Sequence, residues 1–239
     1  MSERRGKPKP PPPLWRRMAM AAWRGATQPS AAMLAICLAA FAAFVILAAW
    51  LFSPAAMAGP AGDYIPRSGK DGDAFATVNA IRLGHHRPRR ETLVVLGSST
   101  VAQALGSERK LGDMLAARTG RTWDVRLLTT PLQSPWDQLK LLETALAGRR
   151  PGDPPLVVAV GVSPLRMGWN RERLLKYEAE PRLGLRSRWV DEELQAGGDT
   201  PRPLHGIYVA DNPRFVVLNG TEALMRFAVH MPATRRIDY

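Results

Sequence analysis

Three short segments carry the residues able to do chemistry. Gly97-Ser98-Ser99-Thr100 follows the apolar run Thr92-Leu93-Val94-Val95-Leu96. Thr130-Pro131-Leu132-Gln133-Ser134 follows Val125–Leu128, and Gly161-Val162-Ser163-Pro164 follows Leu156–Val160. A serine on the turn after a central strand is placed for nucleophilic attack, and nearby backbone N–H groups can stabilise an oxyanion. A serine hydroxyl also needs a base, so the four histidines matter. His205 is the candidate base and His230 the alternative, while His85 and His86 precede the first strand and fall at its far end. The competing reading is structural: serine at a strand–helix junction is favoured for capping alone.

The elements that must hold these segments can be read from periodicity. Ala74–Leu83 is a short helix. Ser107 caps a helix over 108–118, whose apolar spacing ends at Gly120. Ser134, with Pro135 at the first helical position, opens a helix with Leu139, Leu142 and Leu146 on one face, ended by Gly148. The three apolar runs suit strands buried on both faces. Strands alternating with helices predict an α/β fold with a parallel sheet, whose ligands bind beyond the carboxyl ends of the strands. Beyond Gly161 the pattern is weaker. Asn170 opens a helix at Arg171, Trp189–Leu194 is another helical piece, and Asn212-Pro213 and Thr221-Glu222 are further starts.

Gly97-Ser98-Ser99-Thr100-Val101 is not the G-x-S-x-G elbow of α/β-hydrolases, because Val101 stands where the last glycine would be. It resembles the first block of the SGNH, or GDSL-type, hydrolase family, over roughly residues 92–165. The resemblance implies a three-layer parallel-sheet, flavodoxin-like domain with Ser99 as nucleophile. It also implies an oxyanion hole built from Ser99, from position 132 and from position 163. The family's glycine in the second block is Leu132 here, and its asparagine in the third is Ser163. The family's Asp-x-x-His near the C-terminus does not occur, so His205 would serve as base outside the usual spacing. No metal and no cofactor are expected. The resemblance implies a serine esterase or acyl-transfer protein acting on an exported polysaccharide. The alternative is a catalytically degenerate component of an envelope polysaccharide synthesis or export complex.

Residues 31–52 contain no charge, glycine or proline. At about 1.5 Å per residue the run reaches roughly 33 Å, enough to cross a bilayer core of about 30 Å. Half of the net charge of +12 lies in the first 30 residues, where seven Lys and Arg face one acid, Glu3. That asymmetry predicts a cytoplasmic head and an exported tail on a single-pass inner-membrane protein. Four domains follow: a basic, proline-rich head (1–30), a transmembrane helix (31–52), a linker (53–73) and a periplasmic domain (74–239). A signal peptide cleaved after Ala56-Met57-Ala58 is the competing reading, although its apolar region would be unusually long.

The expected partners are the membrane and envelope polysaccharide machinery, not nucleic acid. The densest basic run of the tail, His85-His86-Arg87-Pro88-Arg89-Arg90, has no interleaved aromatic residue and reads as a solvated loop. The only cysteine, Cys37, lies in the predicted span, so no intrachain disulfide is possible.

Overall fold

The computed structural model describes residues 13–27, 30–65, 72–162, 169–179 and 181–230. The chain divides into two compact units, Met1–Leu47 and Ala48–Tyr239. The first unit holds helix α1 (Leu14–Thr27) and most of α2 (Ala31–Leu51). Helix α1 lies within the stretch read only as a basic, proline-rich head. Its Leu14, Trp15 and Met18 are exposed. Helix α2 matches the expected span and is long and apolar enough to cross a membrane. Cys37 is exposed on it.

The second unit begins with the last turn of α2, where Ala48, Leu51 and Phe52 are already buried. The described part of the expected linker is a correction to the sequence reading. Residues 53–65 form α3 (Pro54–Ala58) and a 3-10 turn (Pro60–Asp63), and they fill core space with Met57, Ala61 and Ile65. Their high Gly, Pro and Ala content reflects close packing, not a free tether. Burying side chains as large as Phe52 and Met57 stabilises the fold by about 2 kcal/mol each. Residues 66–71 lie outside the described residues.

The remainder is α/β. Helix α4 (Gly72–His85) precedes strand β1 (Glu91–Gly97), and α5 (Ser99–Leu105) and α6 (Glu108–Thr119) lead to β2 (Trp123–Thr129). Helix α7 (Pro135–Leu146) then leads to β3 (Leu156–Val160). The sheet is parallel with order β2-β1-β3; Leu96 sits opposite Leu128 on one side and Val160 on the other. After β3 come α8 (Arg171–Ala179), α9 (Arg188–Ala196), α10 (Tyr208–Asp211) and α11 (Pro213–Ala228). The expected start at Thr221 falls inside α11 and opens nothing.

Alternation along the strands splits the core. Val94, Leu96 and Leu128 pack with Leu141 and Ala145 of α7 and with α4. Val95, Val125 and Leu127 pack against Val101, Leu105, Leu111 and Leu115 of α5 and α6. Burial on both faces, expected for all three strands, fails at β3: Val157 and Ala159, on the face that α5 and α6 cover elsewhere, are exposed because those helices do not reach the edge strand, and Val160 at its carboxyl end is exposed as well. Helices α4 and α7 run back along the sheet and cross closely at their C-termini, where a Cβ on Gly84 would come within 2.1 Å of the Thr144 carbonyl. Only glycine permits that approach.

Candidate functional site

The parallel register brings the three sequence-predicted loops to one edge of the sheet, the carboxyl ends of the strands. Two hydrogen bonds tie them together: Thr130 N–H donates to the Gly97 carbonyl at 3.1 Å, and Gly161 N–H donates to the Leu96 carbonyl at 2.8 Å. Val101 closes over this junction. A Cβ on Gly161 would lie 2.3 Å from its methyl group, which explains a glycine there.

Ser98 is the residue before α5 and Ser99 the first within it, and both are half-buried. The Ser98 side chain makes no capping hydrogen bond, so capping does not account for it. Ser107 and Ser134 do cap their helices, and Ser134 forms a reciprocal box with Asp137, which is one reason those boundaries were legible. The Ser99 hydroxyl has no hydrogen-bond partner among the described residues.

Leu132 sits in the second loop with φ of 56°, a left-handed conformation unusual for leucine. Its side chain is exposed, so no burial compensates the strain. Ser163, the third expected oxyanion position, lies outside the described residues. The described part of that loop is held by Gln138, whose Nε2 donates to the Gly161 carbonyl at 3.2 Å.

The same edge holds an ionic cluster that sequence reasoning missed. The Arg182 guanidinium donates to the Pro131 carbonyl at 2.6 Å and to Asp137 at 3.2 Å, and lies 3.6 Å from Asp73. All three side chains are at most one-fifth exposed. Asp137 was visible as a helix-start residue, but nothing in the sequence around Arg182 points to this role. Beneath the cluster, buried Gln133 donates to the Leu128 carbonyl at 2.8 Å.

His205, expected as base, does not join this edge. Its Nδ1 lies 3.0 Å from Oδ1 of Asp211. The backbone N–H groups of His205 and Gly206 also donate to that carboxylate. These bonds, led by the His205 N–H, hold the Asp211 carboxyl below the usual aspartate range. Asp211 lines a cavity of about 270 Å³ with His85 and Thr144, at the C-terminal ends of α4 and α7. Those helices begin near Pro131 and Ser134 and run the length of the sheet, so this cavity belongs to the opposite end. His230 stacks on Phe227, which also packs edge-on against Tyr64 and Trp50. His86 bonds to the Ala58 carbonyl at 3.0 Å. None of the four histidines hydrogen-bonds to Ser99.

Among the described residues no group of histidines, cysteines and carboxylates has the arrangement of a metal site. No family model matches this chain, and neither a curated protein nor a solved structure matches it.

Proposed function

We propose that residues 74–239 form a three-layer SGNH-like domain that has lost its catalytic base. On this reading it works as a membrane-anchored, non-catalytic component of an envelope polysaccharide synthesis or export complex. The observation that carries the loss of catalysis is the separation of Ser99 from every histidine, with His205 engaged by Asp211 at the other end of the sheet. A serine hydroxyl without a base is a poor nucleophile near neutral pH. The SGNH-like assignment rests on the order of the three loops and on Leu132, whose backbone takes the conformation glycine adopts easily, at the position where the family has glycine. The polysaccharide context comes from the resemblance alone.

The anchor is read as uncleaved, with its basic head cytoplasmic and the folded domain outside the inner membrane. Cleavage before Gly59 would remove Phe52 and Met57 from the core, which favours retention of α2.

The second reading, a serine esterase or acyl-transfer protein, is favoured by one observation: Ser99 is half-buried and its hydroxyl has no hydrogen-bond partner among the described residues, which leaves it open to a base supplied from outside the chain. Hydrolysis of a small acetyl ester by the purified full chain separates the two. The non-catalytic reading expects the parent and Ser99→Ala to turn over the ester at the same background rate. Activity in the parent that Ser99→Ala abolishes and Ser98→Ala retains would establish the second reading.

A further inference from the structure

At the amino end of the strands lies a cavity of about 600 Å³, built entirely within the second unit. Six arginines line it: Arg82, Arg87, Arg89, Arg90, Arg126 and Arg149. Only two acids, Glu108 and Asp124, share the lining. Four of the arginines have partners in the chain. Arg82 pairs with Asp63 at 3.0 Å, Arg87 with Asp153 at 2.8 Å, Arg126 with Asp124 at 2.9 Å, and Arg149 donates to the Pro154 carbonyl. Arg89 and Arg90 pair with no acid among the described residues.

Two further features make this more than a charged surface. Positions 124 and 126 of β2 fall on the same sheet face as the core residue Leu128, yet they are aspartate and arginine. The apolar pattern is broken where the cavity runs under α4, and such local conflicts tend to mark functional places. In addition, two buried donors lack acceptors: Nδ2 of Asn79, a residue only 5 % exposed, and Nε of Arg126. Both residues line the cavity. Buried polar groups are normally satisfied, so two orphan donors beside a surplus of guanidinium groups call for an acceptor-rich partner. Guanidinium groups match phosphate oxygens in pairs, and several arginines suit a group with more than one charge. Phe75, Leu83 and Leu156 supply an apolar wall for the uncharged part of such a molecule.

We propose that this cavity binds a phosphate-bearing ligand, with Asn79 and Arg126 as the inner donors and Arg89 and Arg90 at the mouth. The site is independent of Ser99 and of any hydrolase reading. Two sources offer the same chemistry: a soluble phosphate ester and a phospholipid headgroup. Arg82 and His86, both in the lining, also hold the carbonyls of Gly59 and Ala58, a few residues after the apolar helix.

The test uses the full chain in nanodiscs of phosphatidylcholine, titrated calorimetrically with glycerol 3-phosphate and pyrophosphate. In a second arm, part of the lipid is phosphatidylglycerol, and the thermal unfolding midpoint is read with and without the soluble probe. The double variant Arg89→Gln/Arg90→Gln should weaken binding by about tenfold or more, the effect of losing one charge-assisted hydrogen bond or two. Arg109→Gln/Arg118→Gln removes the same charge from exposed positions of α6 and should change nothing. Soluble binding that phosphatidylglycerol does not compete away identifies a soluble ester. A midpoint raised by phosphatidylglycerol and lost in the Arg89/Arg90 variant identifies a headgroup. If neither probe nor lipid has an effect, or if both double variants weaken binding equally, the proposal is overturned. Arg89 and Arg90 are exposed, so their replacement leaves folding intact, and Arg126→Gln then reads the inner donor.

Discussion

The two ends of the same sheet handle charge in opposite ways. At the carboxyl end, one arginine, Arg182, is shared by two carboxylates, Asp73 and Asp137, and Ser98 at the same sheet edge makes no capping hydrogen bond. At the amino end, arginines outnumber acids in the cavity, donors stay unpaired, and His205 and Asp211 bond to each other. The buried cluster at the end that resembles a catalytic centre therefore holds one more carboxylate than cation, whereas the end with no recognisable motif keeps surplus positive charge. A nucleophile needs a base and a field; a binding site needs unfilled donors.

The sharpest way to break this contrast is to remove the shared cation. Arg182→Met takes the shared cation away from Asp73 and Asp137, both at most one-fifth exposed. Stripping one partner from a buried ionic group costs about 3 kcal/mol. The urea unfolding midpoint of the full chain should fall accordingly. A loss below about 1 kcal/mol would mean that the cluster behaves like a surface ion pair and that the shared cation does not hold the carboxyl end together.

A smaller and opposite effect is expected at Leu132. Its left-handed backbone costs roughly 1 kcal/mol relative to a residue free of Cβ. The side chain is 55 % exposed, so little packing is lost on truncation. Leu132→Gly should raise stability by up to about 1 kcal/mol, less the extra freedom glycine gains in the unfolded chain. The same urea titration reads it. A destabilised variant would show that the leucine side chain, not the loop conformation, is what this position needs.

The contrast between the two ends also explains what could be read from the sequence. The strands, α4, α6 and α7 were legible because propensity, capping and apolar periodicity agree there; Ser107 and Ser134 do in the structure what their positions announce. The convergence of three loops followed from parallel pairing. Helix α1 was hidden behind a proline run, and the role of residues 53–65 was hidden because small residues that pack tightly look like a tether. The Arg182 cluster joins positions 45 and more residues apart, and no local pattern encodes such a meeting. In the sequence His205 stands out only as a histidine towards the C-terminus, yet the residue that fixes its place is Asp211, which becomes its neighbour only when α10 folds. The basic loop at 85–90 was legible as charge but not as a cavity wall, since Asn79 and Arg126 come from other elements.

The mildest contrast lies in pH. The Asp211 carboxyl is held below the usual aspartate range, first by the His205 backbone N–H and then by the His205 ring and the Gly206 N–H. A depressed folded value means that ionised Asp211 stabilises the native state. That contribution is complete above the unfolded aspartate pKa, about 3.9, and is lost as pH falls through the lower folded value. Asparagine cannot supply the charge. The gap in unfolding midpoint between the parent and Asp211→Asn should therefore stay level from neutral pH down to about 5 and shrink below about 4. No comparable titration is expected of Ser99→Ala, because its hydroxyl meets no ionisable partner among the described residues. A gap for Asp211→Asn that persisted or widened in acid would mean that this carboxylate is held for its shape and not its charge.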